Sequence, residues 1–105
     1  MNDKKIYEMQ SNICKALANP IRIEVISILV NGELNFGEIL KILYISKSNL
    51  SQHLSVMVSN GLVAQRKEGT NSYFRLSSDK VAIACRTMRE VLIENINRKL
   101  DLFSE

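Results

Sequence analysis

The sequence predicts a mostly α-helical chain with one β-hairpin, an α+β protein, on three observations. Apolar residues recur at helical spacing through most of the chain. The spacing switches once to two short β-prone runs, between residues 62 and 76. Asn, Ser, Gly and Pro punctuate the changes.

The elements follow in order. Residues 4–18 read as a first helix, with Ile6, Met9, Ile13 and Leu17 on one stripe. Asn19-Pro20 opens a second, because Asn is a good N-cap and Pro is favoured at the first helical position. Its inward residues are Ile21, Val25, Ile28 and Leu29, and Asn31-Gly32 stops it. Asn35 caps a short third helix in a capping box with Glu38, placing Phe36, Ile39, Leu40 and Leu43 on one side. After "YI", Ser46 caps a fourth helix whose inner face is Leu50, Leu54, Met57 and Val58, and which ends at Asn60-Gly61. Glu68-Gly69-Thr70-Asn71 then turns a hairpin. Ser77 or Ser78 caps a long last helix striped by Val81, Cys85, Met88, Leu92 and Ile96. Helix, helix, short helix, turn, helix, hairpin, long helix is the order of a winged helix-turn-helix, with the hairpin as wing. At 105 residues it forms a single domain over 1–105.

The fourth helix is unusual on its outer side, where Ser48, Ser51, Gln52 and Ser55 replace the Glu and Lys of a solvated helix. No carboxylate occurs between Ser46 and Asn60. In this architecture that helix enters the DNA major groove. Short hydroxyls and amides let its backbone approach, and Gln can bond adenine through two hydrogen bonds. The charge distribution agrees. The net charge is +3, yet from Lys41 to Arg75 five bases (Lys41, Lys47, Arg66, Lys67, Arg75) face only Glu68. The net +4 there outweighs the slightly acidic remainder. A solvated face explains such an imbalance as well as a phosphate footprint does, so charge alone does not choose. Beside the wing tip, Arg66 and Lys67 are assigned to phosphate rather than to plain solvation.

The segments "CKALANPIRIEVISIL", "SKSNLSQHLSVMVSNGLV" and "QRKEGTNSYFRL" resemble three signature stretches of ArsR/SmtB-type bacterial repressors. The resemblance spans roughly residues 12 to 95. It implies a homodimer joined through the first and last helices, recognition helices on an inverted-repeat operator, and an effector that releases the DNA. By the same resemblance Lys47, Ser48, Ser51, Gln52 and His53 match recognition-helix positions; Asn49 on that helix and Arg66, Lys67, Asn71 and Arg75 on the wing are assigned to the DNA-facing set beside them. The seam is assigned to Ile6, Ile13, Val81, Met88, Leu92 and Ile96.

The metal and thiol sites of that family do not carry over. Asn35 and Gly37 stand where the arsenic/cadmium type has its Cys-x-Cys. Ser78, Lys80, Val91 and Glu94 stand at the zinc/cobalt positions, where only Glu94 is a metal ligand. Ser27 and Ile93 replace the cysteines of a thiol-sensing branch. The sequence therefore predicts no metal site of these types and no cofactor.

Cys14 and Cys85 remain. They read either as small buried hydrophobes or as a thiol pair sensing oxidant, reactive sulfur or a soft metal or metalloid. Both fall on the helices assigned to dimerisation. Cys14, at the stripe's edge, is expected to be the more accessible, while Arg86 and burial pull the Cys85 thiol in opposite directions. His53, at the margin of the apolar face, fits a half-buried packing residue with one hydrogen bond better than a base or phosphate contact. One His, two distant Cys and no phosphate-binding Gly motif leave no nucleophile–base pair for an enzyme. A winged-helix module that binds protein instead of DNA is the remaining alternative. The apolar runs are too short to span a membrane and the first ten residues lack a signal-peptide core, so the expected compartment is the cytoplasm.

Overall fold

The computed structural model describes residues 3–103. It contains α1 (Asp3–Leu17), α2 (Pro20–Leu29), β1 (Leu34–Asn35), α3 (Phe36–Leu43), α4 (Lys47–Ser59), β2 (Val63–Glu68), β3 (Asn71–Leu76) and α5 (Asp79–Phe103). This is the winged helix-turn-helix that the sequence predicts. Helix starts lie where local chemistry satisfies free backbone N–H groups. The Asn19 side chain accepts from the amides of Ile21 and Arg22. Asn35 and Glu38 form the reciprocal capping box. Ser46 Oγ accepts from the Asn49 amide. Of the two candidate caps for α5, Ser78 makes the bond, to the Lys80 amide.

One element was not anticipated. Leu34 and Asn35 pair antiparallel with Phe74 and Tyr73, so the wing is the outer part of a three-stranded sheet in the order β1-β3-β2. A two-residue strand is too short to show an alternating pattern. The hairpin itself is as expected. Glu68 pairs with Asn71 across a two-residue connection, and Gly69 has φ +61°, where a Cβ would be strained. Tyr44, which ends α3, also has a left-handed φ of +53° and is 93 % exposed.

The core gathers Ala16 from α1, Val25, Ile26 and Leu29 from α2, Ile39 and Leu43 from α3, and Leu50, Leu54 and Met57 from α4. Leu62, Val63 and Phe74 close it from the wing side. Ile26, Ile39, Leu50 and Met57 are essentially inaccessible. α1 and α5 behave differently. α5 has no buried residue, and only Val81 and Cys85 of its stripe pack on the protomer's core. Val81, assigned to the dimer seam, thus has its apolar contact within its own protomer. Met88, Leu92 and Ile96 remain exposed, as do Ile6, Met9 and Ile13 of α1. Among the described residues no helix is long and apolar enough to cross a membrane.

Candidate nucleic-acid interface

The residues that bury α4 also aim its opposite side outward. With Leu50, Leu54 and Met57 in the core, 3.6-residue periodicity turns Ser48, Gln52, Ser55 and Ser59 to solvent. Lys47, Asn49 and Ser51 are exposed too. Between this helix and the wing runs an open groove of about 720 Å³. Ser51, Ser55 and Ser59 line one wall, and Gln65, Thr70, Asn71 and Ser72 line the other. Leu54, Val58 and Phe74 contribute its apolar part. The lining is therefore neutral and rich in hydrogen-bonding groups. Of these residues, Ser59, Gln65, Thr70 and Ser72 were not singled out from the sequence. The Ser51, Ser55, Ser59 spacing of four was the available signal on the helix, whereas the wing residues meet it only in three dimensions.

Strand alternation divides the wing's basic residues. Gln65 and Lys67 share one face of β2, and Gln65 Nε2 lies 3.3 Å from Ser72 Oγ on the groove side. Arg66 lies on the other face. Its Nη2 and Nε donate to the two carboxylate oxygens of Glu33 at 2.7 and 3.3 Å. Its Nη1 donates to Glu68 at 2.7 Å. Its guanidinium sits 4.4 Å from the centre of the Tyr73 ring. The Arg66 hydrogen bond holds the Glu33 carboxyl below its ordinary pKa, and Arg75 adds to this. Arg66 was assigned to phosphate from the sequence; here two carboxylates already occupy it. Glu33 is 33 residues away, so the local excess of positive charge is smaller than sequence counting implied.

His53 is half-buried, and its Nδ1 accepts from Arg22 Nε at 3.1 Å. Burial, aided by the Arg22 charge, lowers its pKa. This matches the packing residue with one hydrogen bond. Its Nδ1 faces a protein cation from α2, and His53 is not among the residues that line the groove. Arg22, which also reaches the Ala16 carbonyl at 3.4 Å, had no distinguishing signal in the sequence.

Both cysteines are free. Cys14 is exposed, as expected for the stripe's edge. Cys85 is half-buried beside a hollow of about 160 Å³ lined by Ile23, Ile26 and Ser27 of α2, by Val30 just after it, and by Ala82, Arg86 and Arg89 of α5. α1 contributes nothing to that lining. Burial raises the Cys85 pKa, opposed by Arg89, which is one helical turn further along the same face. Arg86, the expected cationic neighbour, does not contribute to that shift. Among the described residues no three His, Cys, Asp or Glu side chains gather as metal ligands would.

Comparison with known proteins agrees with this geometry. Residues 19–65 match the model of the bacterial regulatory protein, arsR family. The transcriptional activator HlyU of Vibrio cholerae is 38% identical over 82 residues, covering 72% of this chain and 76% of HlyU. The chain belongs to the ArsR family. The arsenical resistance operon repressor of Staphylococcus xylosus is 30% identical over 98 residues, 93% of this chain and 83% of that one. The solution structure of a homodimeric winged helix-turn-helix DNA-binding domain from Mycobacterium bovis superposes with a TM-score of 0.81 at 28% identity, covering 93% of both chains. This ArsR-family chain is accordingly a dimeric DNA-binding transcriptional regulator of the repressor type, not an enzyme.

Proposed function

We propose that this ArsR-family regulator reads an inverted-repeat operator with two copies of α4 and clamps the flanking backbone with its wings. The observation that carries this reading is the acid-free outer face of α4, which continues across a hydroxyl- and amide-lined groove onto the wing. Gln52, Ser51, Ser48 and Asn49 are exposed where base edges would lie, with Lys47 and Lys67 flanking them. Asn71 at the groove and Arg75 on the outer face of the wing complete the set. Arg66, committed to Glu33 and Glu68, leaves the list of phosphate partners, and His53 acts through packing. Three cations per subunit (Lys47, Lys67, Arg75) then give about six phosphate contacts per dimer and a salt slope near −5. Half-sites lie about 34 Å apart, one helical turn.

A gel-shift titration with operator and random DNA at several salt concentrations tests this. Gln52→Ala should reduce operator binding and leave random binding nearly unchanged. Lys67→Ala should weaken both and flatten the slope by about one. Identical effects of the two variants on both DNAs would refute the division into base readers and backbone clamps. A protein that binds neither DNA would leave the protein-interaction reading standing.

Release of the operator is assigned to thiol chemistry at Cys14 and Cys85, in the compartment that holds the DNA. Two free thiols on the two helices that leave apolar surface uncovered support it. Cys14 is the first to react, because the Cys85 thiolate is disfavoured by burial. Oxidants or reactive sulfur are the inducers that fit this order. A soft metal or metalloid bridging thiolates is the second reading. A Cys14→Ser/Cys85→Ser double variant should bind operator normally and ignore diamide, sulfide donors and thiophilic metals. If it still releases DNA with the physiological inducer, the cysteines are packing residues.

A further inference from the structure

The wing is fastened to the body by little backbone. β1 contributes two residues and two register pairs to β3. Beyond that strip, residues 65–71 are all exposed. A hairpin on so short a base can swing, and swinging changes its distance from α4. Val63 and Phe74 seat the base of the hairpin in the core, and further out one side-chain assembly opposes the swing. Arg66 on the outer strand β2 reaches across the central strand β3, where its guanidinium lies over Tyr73, to grip both oxygens of Glu33 immediately before β1. The brace therefore spans all three strands. Its geometry is the two-pronged one that lets an ion pair near the surface hold a fixed position, which isolated single contacts seldom do. It lies on the sheet face opposite the groove, so it braces the wing without blocking the groove.

Charge alone makes Glu33 an anomaly. A carboxylate on the wing side of a DNA-binding protein repels phosphate. We propose that Glu33 and Arg66 are positioning residues for DNA binding: their ion pair over Tyr73 fixes the angle of the wing and hence the width of the groove between α4 and the wing. The proposal rests on the reading that DNA lies against these two elements.

The test exploits opposite signs. Glu33→Ala removes a negative charge, so electrostatics without a brace predicts tighter binding. With the brace, operator binding weakens about two- to fivefold, as expected when a well-formed ion pair near the surface is lost. The salt slope stays at the wild-type value, because no phosphate contact has gone. Arg66→Lys keeps the charge and loses the fork, and it weakens binding to a similar degree. The Glu33→Ala/Arg66→Lys double variant is no weaker than the worse single one. Glu68→Gln, which removes the contact along the same strand, leaves affinity unchanged or slightly higher. Amide hydrogen exchange at residues 65–72 speeds up in the Glu33 and Arg66 variants, while exchange in the buried core of α2 and α4 and the dimer mass stay at wild-type values. Unchanged or tighter operator binding by Glu33→Ala, or wild-type binding by Arg66→Lys, overturns the proposal. Should the unmodified protein bind no DNA, the DNA reading fails by itself, and unchanged exchange across the wing in Glu33→Ala would separately overturn the brace.

Discussion

Leu92→Ala and Leu92→Asp probe the dimer seam without touching the protomer's fold. In the isolated protomer Leu92 is 56 % exposed and packs against no core residue. Burying a whole Leu side chain contributes about 1.5–3 kcal/mol, so covering the exposed half contributes about 1–1.5 kcal/mol. Two-fold symmetry uses the residue twice, giving about 2–3 kcal/mol per dimer. Leu92→Ala removes about three quarters of this and should raise the dimer dissociation constant about 10- to 40-fold. Leu92→Asp adds two carboxylates in an apolar seam and should yield monomer at micromolar concentration. Sedimentation velocity over a dilution series measures both. Circular dichroism should show undiminished helix, and operator binding should fall with the dimer although α4 is untouched. A Leu92→Asp protein that sediments as a wild-type dimer would place the interface away from this face of α5 and refute the reasoning.

Other consequences follow from single residues. His53 has a folded-state pKa below its ordinary value of 6.5 because it is buried beside Arg22, so its contribution to stability is complete above that value and is lost as pH falls towards the folded-state pKa. Urea midpoints between pH 7.5 and 5.5 should decline, and His53→Gln should flatten that decline; an unchanged slope would contradict the assignment. Met57→Ala empties a wholly buried site in the core and should cost about 2–5 kcal/mol in chemical unfolding. Tyr44→Gly relieves a left-handed backbone that costs a side chain about 1–2 kcal/mol, partly offset by greater freedom of the unfolded chain. The variant should equal or exceed wild-type stability by up to about 1 kcal/mol, and a clear loss would show that the exposed Tyr44 ring has a contact of its own.

The sequence by itself determined what short-range chemistry controls. Asn19, the Asn35–Glu38 box and Ser46 start helices because each side chain meets an amide two or three residues away. The hairpin follows from Gly69 at a backbone angle that other residues avoid. The polar face of α4 was legible for the same reason, since helical periodicity converts spacing into a surface. Only the tertiary structure decided which polar groups are spent on one another. Arg66 and Glu33 are 33 positions apart, Arg22 and His53 are 31 apart, and β1 is too short to announce itself. Nothing along the chain encodes those distances directly, because they depend on how the sheet and α2 dock on the core. The same holds for α1 and α5. Their apolar stripes were readable, but a stripe is the same whether it meets its own core or a second chain. Packing shows that one protomer lacks the surface to cover both.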